Sequence, residues 1–204
     1  MSNIAIKGAT TGTGTFTIES PATNTDRTLT LPDEAGTVLT SGSPLTSVPG
    51  AVTEVDQWFL TTTLTNPGDA DITANLDPVY TLTGLGRLGT GMSKDANGIF
   101  TFPSTGLWLV RMEAHGVSTG DTSGYLSLNL TTGGSYTERS RADFGVANSA
   151  DPVRSVSACQ ILVDITDTST HKVKFSHGSM SATSLFGDAS LVRTNFTFIR
   201  VGDT

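Results

Sequence analysis

The stretch Asn97-Gly98-Ile99-Phe100-Thr101-Phe102-Pro103-Ser104-Thr105-Gly106-Leu107-Trp108-Leu109-Val110-Arg111-Met112-Glu113-Ala114-His115 reads as two β-strands and their turns, and it sets the class of the whole chain. Asn97-Gly98 is a turn pair, and Pro103 to Gly106 makes a second turn. From Leu107 onward, successive side chains of an extended chain point to opposite faces. Trp108, Val110, Met112 and Ala114 therefore form one apolar face. The opposite face starts with Leu107 and Leu109 and becomes polar at Arg111, Glu113 and His115, so one end of the strand is expected to be covered on both sides.

The same period of two recurs on either side. Trp58, Leu60, Thr62 and Leu64 alternate with Phe59, Thr61 and Thr63 in one expected strand, and Asn66-Pro67-Gly68-Asp69 supplies the turn after it. Residues 125–130 place Leu126, Leu128 and Leu130 inward, and residues 156–165 do the same with Cys159, Ile161, Val163 and Ile165. Residues 171–175 and 191–201 bring the set to about eight strands, and the apolar run Phe196-Thr197-Phe198-Ile199 suits a central position in a sheet. Hydrophobic residues make up 36% and charged residues 15% of the 204 positions, while Thr, Gly and Ser abound. β-Branched Thr fits a half-wet pleated surface, and helix formers are thinly spread. The expectation is an all-β chain whose larger part is an antiparallel sandwich or jelly roll.

The first forty residues differ from the rest. Three short β-like pieces, 14–19, 27–31 and 36–40, are separated by turns containing Pro and Gly. Phe16 and Ile18 share one face, Leu29 and Leu31 another, and Val38 stands in the third piece. Two or three apolar side chains per strand cannot stabilise an isolated hairpin in water. Residues 1–40 are therefore expected to form a small β arm that needs its own copies or a larger assembly. Ser41 to Gly50 (SGSPLTSVPG) has no periodicity, so residues 41–51 read as a linker and 52–204 as the head domain. Three intertwined copies would bury Phe16, Ile18, Leu29, Leu31 and Val38 against one another, which makes these the expected contacts between copies or with a larger assembly.

Several function classes are unfavourable. A net charge of -7 without a Lys/Arg cluster argues against a nucleic-acid partner, because binding a phosphate backbone requires clustered cations. No run of 18 apolar residues is present, so no membrane insertion is expected. The amino terminus lacks a basic flank followed by an apolar run, and a single Cys159 cannot form an intrachain disulfide, which suits folding in a cytoplasm. The sequons at Asn129 and Asn195 lie in strand-like runs and read as chance matches.

Gly84-Leu85-Gly86-Arg87-Leu88-Gly89 spells a dinucleotide fingerprint after a strand-like Val79 to Thr83. Breakers fill Thr90 to Gly98, where that fingerprint requires a helix, so a glycine-rich loop is expected and no cofactor. His115, His171 and His177 lack ligand spacing and read as surface residues at strand ends. Asp69, Asp71 and Asp77 lack the calcium-loop pattern, so no metal is expected. Without a nucleophile elbow, and with one Cys and three His, the chain is not expected to be an enzyme. Trp58 and Trp108 fall in apolar alternation and read as core, whereas Tyr136, beside Gly133-Gly134, is the better surface aromatic.

Two resemblances sharpen this. The runs Gly98-Ile99-Phe100-Thr101-Phe102-Pro103 and Gly106-Leu107-Trp108-Leu109-Val110, with the closing strand Asn195 to Val201, resemble the jelly roll shared by tumour necrosis factor and the globular heads of complement. In that family a Gly-x-Phe-x-x-Pro-x-x-Gly-x-Tyr run joins two early strands; here the spacing shifts and Trp108 stands near the family's aromatic. The likeness covers residues 52–203 and implies a trimeric head. Separately, the arm TFTIESPATNTDRTLTLPDEAGTVLT (15–40) resembles amino-terminal segments of tail fibres and other virion surface proteins of tailed bacteriophages, through Arg27-Thr28-Leu29-Thr30-Leu31-Pro32-Asp33 and Gly36-Thr37-Val38. That resemblance implies a structural virion component made in the host cytoplasm, a trimeric fibre or decoration protein with its arm on the particle and its head outward. The implied partners are two further copies, other virion proteins and a host surface glycan or protein. Capsid decoration without a receptor role and a stand-alone lectin-like module are the alternatives.

Overall fold

The computed structural model describes residues 52–145 and 152–204, with isolated positions between 11 and 28. The chain divides into two units, Met1–Val38 and Leu39–Thr204. Phe16, Ile18, Leu29, Leu31 and Val38 lie outside the described residues, as does the expected linker.

Thirteen strands occur among the described residues: β1 (Glu54–Leu60), β2 (Leu64–Thr65), β3 (Gly68–Asp71), β4 (Leu76–Pro78), β5 (Ser93–Lys94), β6 (Phe100–Thr101), β7 (Gly106–Ser118), β8 (Ser123–Thr132), β9 (Thr137–Gly145), β10 (Val153–Ile165), β11 (His171–Met180), β12 (Thr183–Leu185) and β13 (Asn195–Gly202). They form two antiparallel sheets. In the seven-stranded sheet, β10 pairs along one edge of β7, while β13 and then β12 pair along the other; β1 and β4 continue beyond β13, and β2 beyond β12. The six-stranded sheet runs β9-β8-β11, with β6 and β3 both on the far edge of β11 and β5 outside β6. The sheet edges meet where the Ser140 hydroxyl of β9 donates to the Gln160 carbonyl of β10 at 3.0 Å.

β7 follows the alternation read from its sequence: Trp108, Val110, Met112 and Ala114 are buried, and the intervening side chains are half-buried. Leu126 and Leu128 from β8, Cys159, Val163 and Ile165 from β10, and Phe196 and Phe198 from β13 close the core, with Leu130 and Ile161 at its margin. β13 occupies the expected interior position, between β1 and β7. Phe100, on the two-residue β6, lies at the centre of an aromatic cluster. Its ring centroid is 5.2 Å from Trp58, 5.7 Å from Phe175 and 5.1 Å from Phe198. Each buried aromatic contributes about 1.5–3 kcal/mol through removal from water, and aromatic pairs about 0.5–1.5 kcal/mol more. That packing holds a strand which two ladder residues alone would not.

Several expectations are corrected. The single strand across 58–64 is broken: β1 ends at Leu60, where Leu60 N–H still donates to the Thr194 carbonyl and Thr61 N–H to the Asn75 carbonyl, and Leu64 then opens β2, which pairs with β12 instead. Residues 79–83 begin as a 3₁₀ turn, Val79–Thr81, because Pro78 precedes it and the Thr81 hydroxyl donates back to the Pro78 carbonyl at 2.8 Å. β11 runs past Phe175 to Met180, and the final strand starts at Asn195 rather than Leu191. The strands not expected from the sequence are the nine-residue, polar β9 and the short β3, β4, β5 and β12, while β2 opens at the last residue of the expected 58–64 strand. No helix among the described residues is long and apolar enough to cross a membrane.

The expectation for His177 is corrected too. It sits within β11 at 3% exposure, facing inward opposite Leu126, and its Nδ1–H donates to the Gly68 carbonyl at 3.1 Å. Burial outweighs that bond and the nearby charges of Asp69 and Asp71, and holds the imidazole below its ordinary value of 6.5.

Two predictions follow from these environments. Gly98 has φ 72°, and an added Cβ would lie 2.2 Å from the Ile72 carbonyl oxygen. Gly98→Ala is therefore expected to cost ~2 kcal/mol or more in urea unfolding; an unchanged midpoint would contradict the packing. For His177, the unfolded chain takes up a proton near the ordinary value while the folded chain resists it, so stability falls as pH falls through and below that value. The urea midpoint should drop from about pH 7.5 to about 5.5, and His177→Gln should flatten the drop; an equal slope in the variant would show that other groups cause it.

Candidate functional site

The residues first considered for chemistry are not brought together. His115 lies on the outward face of β7, His171 opens β11 and His177 is buried. Among the described residues no group of three or more His, Cys, Asp or Glu is arranged to hold a metal. Asp71 is already paired with the Lys174 ammonium at 2.6 Å and accepts the Ser176 hydroxyl at 2.6 Å, while Asp69 accepts the Ser179 N–H. Burial opposes ionisation of Asp71, but these partners outweigh it and hold the carboxyl below its ordinary value. Lysine thus occupies the place a cation would take. No helix follows Gly89, and the loop donors Thr90 N–H and Gly91 N–H are taken by the Glu54 carboxylate at 3.1 and 3.0 Å. A phosphate finds no free cradle there. Trp58 and Trp108 are core, and the Tyr136 ring has the Lys174 ammonium 4.7 Å from its centroid.

The two outward sheet faces differ in chemistry, and the difference locates the candidate surface. On the six-stranded sheet the outward groups satisfy one another. Asn129 Nδ2 donates to the hydroxyls of Ser127 and Ser176, Arg141 stacks 3.8 Å from the Tyr125 centroid, and Arg141 also pairs with Glu138 at 2.8 Å.

On the seven-stranded sheet, direct cross-strand partners set Val55 opposite Ile199, Ile199 opposite Leu109, and Leu109 opposite Leu162. Four aliphatic side chains therefore form one row across β1, β13, β7 and β10. Leu162 is 60% exposed, and Val156, further along β10 on the same face, is 58% exposed. Beside the aliphatic row lies a polar one, Gln57, Thr197, Arg111 and Gln160, in which Gln57 Nε2 donates to the Thr197 hydroxyl at 3.1 Å. Glu113 follows, accepting from Arg111 and lying 3.4 Å from His115 Nε2. Burial works against ionisation of Glu113, yet the bonds and charges of His115 and Arg111 prevail and keep its carboxyl below the ordinary value. The face combines an apolar band with a charge-balanced band, an arrangement suited to contact with another protein surface.

Only part of this row stood out in the sequence. Leu109 appeared there as a residue covered on both sides of its strand, yet a single head leaves it half-buried. Leu162 lies on the opposite face from Val163 and Ile165, and period-two reading marks it as apolar and outward. Its place beside Leu109 depends on strand register, which no single segment reveals.

Solved structures share this architecture. Eiger TNF from S. frugiperda is 12% identical, matches over 74% of this chain and 93% of its own, and has a TM-score of 0.54. Murine APRIL at pH 5.0 is 11% identical over 72% of this chain and 98% of its own, with a TM-score of 0.53. The pH 8.5 structure of murine APRIL is 10% identical over the same shares, 72% and 98%, with a TM-score of 0.51. These likenesses define the fold of the head as a jelly roll of the tumour-necrosis-factor type, as the runs around Gly98 and Gly106 led one to expect. No protein-family model and no curated protein sequence matches the chain.

Cys159 is the remaining reactive group. It is buried against the core on β10, and burial pushes its thiol up to about 11. A thiol with that value is almost wholly protonated near neutrality and is a poor nucleophile. Iodoacetamide at about pH 8 should leave Cys159 unmodified in the folded protein and alkylate it in urea; rapid alkylation of the folded chain would contradict its burial.

Proposed function

We propose that the chain is a homotrimeric structural component of a tailed-phage virion, a fibre or decoration protein whose arm attaches to the particle and whose head faces outward. The observation that carries the self-association is the aliphatic row Val55, Ile199, Leu109 and Leu162, set in register across four strands and left open by a single head. Such a row stays out of water when copies close around a symmetry axis, with the neighbouring Arg111–Glu113 pairs setting their registry. The virion assignment is supported by the arm, whose Arg27 to Asp33 and Gly36 to Val38 runs resemble phage surface proteins and whose apolar residues need partners. Three outward heads would bind a host surface glycan or protein by adding three weak contacts.

The solution mass of the full-length protein tests self-association. The expected value is three times the 21.2 kDa chain mass, and Leu109→Asp combined with Leu162→Asp should yield single chains that still unfold cooperatively. A wild-type monomer at micromolar concentration would overturn the trimer. Co-sedimentation of the full-length trimer with particles lacking it tests the virion role, and failure to associate would remove that role.

A further inference from the structure

Beyond the polar row, the outward face of the seven-stranded sheet ends in a cavity of about 290 Å³ whose walls include His115, Arg154, Val156, Phe186 and Arg193. Phe186 is placed by its N–H, which donates to the His115 carbonyl at 2.8 Å and so extends β12 alongside β7. The guanidinium carbons of Arg154 and Arg193 lie 5.3 and 5.0 Å from the Phe186 ring centroid. An arginine stacked on an aromatic ring keeps its N–H groups in the guanidinium plane, where they remain free to bind an anion in a fork. Among the described residues, neither guanidinium donates a hydrogen bond or forms an ion pair.

Charge and size narrow the ligand. Arg154 and Arg193 bring two positive charges. Asp188, whose carboxylate is held by the N–H and hydroxyl of Ser190, lies close enough to Arg193 to feel its charge. Arg111 and Glu113 cancel one another. Among the described residues the surplus is a single positive charge, which matches a monoanionic carboxylate better than a dianionic phosphate. The volume lies at the small end of ligand clefts, about 300–1,000 Å³, which admits one six-membered ring with its substituents. Val156 and Phe186 supply apolar surface for the C–H groups of such a ring, and the two forks supply donors for its carboxylate. A polyphosphate is disfavoured by the chain's net charge of -7.

We propose that this cavity binds the carboxylate of an acidic sugar, with Arg154 and Arg193 as the anion-binding residues and Phe186 as the pad that orients them. The cavity lies six residues along β7 from Leu109, roughly 20 Å. The proposal therefore stands whether or not the head forms a trimer.

Titration of the full-length protein with sodium glucuronate, N-acetylneuraminate, glucose, N-acetylaspartate and inorganic phosphate, followed by saturation-transfer NMR, tests it. The two acidic sugars should bind and glucose should not. Arg154→Gln with Arg193→Gln should weaken glucuronate by about tenfold or more, and Arg193→Lys, which keeps the charge and loses the fork, should weaken it several-fold, roughly two- to fivefold. Thermal unfolding and solution mass should stay unchanged in both variants. Equal binding of glucose, an unaltered response in the double variant, or tighter binding of phosphate or N-acetylaspartate would overturn the proposal. A change of solution mass in the double variant would also overturn it, by showing that the cavity is a contact between copies.

Discussion

The structure depends on β7 being hydrogen-bonded along both edges. β10 pairs with it from Gly106 to Ser118, while β13 and β12 share its other edge. A strand held this way cannot slide by one residue without exchanging its faces. Such a slip would move Trp108, Val110 and Met112 into water and bring Arg111 and Glu113 into the core, so register and burial enforce each other. The same register that packs Trp108 5.2 Å from Phe102 also lines Leu109 up with Ile199 and Leu162 on the other side. Core and surface are thus two readouts of one alignment.

From that alignment follows the inequality of the two outward faces. The six-stranded sheet saturates its polar groups internally, through Lys174 with Asp71, Asn129 with Ser127 and Ser176, and Arg141 with Glu138 and Tyr125. Its surface is at rest in water. The seven-stranded sheet presents aliphatic side chains in sequence across four strands, then balanced charges, then two uncommitted arginines on Phe186. On the proposed reading, this face serves copies of the chain at one end and a small anion at the other.

Much of the head was legible because its long strands carry the period-two pattern without interruption. The inward sets on β7, β8 and β10 could be read directly, and the Phe196 to Ile199 run announced a central strand. Of the short strands β6 was legible, as the run between the turns at Gly98 and Pro103, whereas β3, β4, β5 and β12 were not, since two to four residues carry no periodicity; the longer but polar β9 also gave no apolar alternation. β6 exists because Phe100 is packed among Trp58, Phe175 and Phe198, and β3 because Asp71 reaches Lys174 and Ser176. His177 looked like a surface residue because its strand seemed to end at Phe175. With Val173 and Phe175 it shares an inward parity that emerges only when β11 is carried through to Met180. The cavity around Phe186 gathers residues from β7, β10 and the segments after β12, a convergence that no local pattern encodes.

The central claim is that the seven-stranded sheet turns its outward face toward neighbouring copies. A three-dimensional reconstruction by electron microscopy of particles carrying the protein tests it most directly. The account predicts a threefold head in which β1, β13, β7 and β10 face the axis and the six-stranded sheet faces solvent. Isolated heads, or heads joined through the six-stranded sheet, would contradict it.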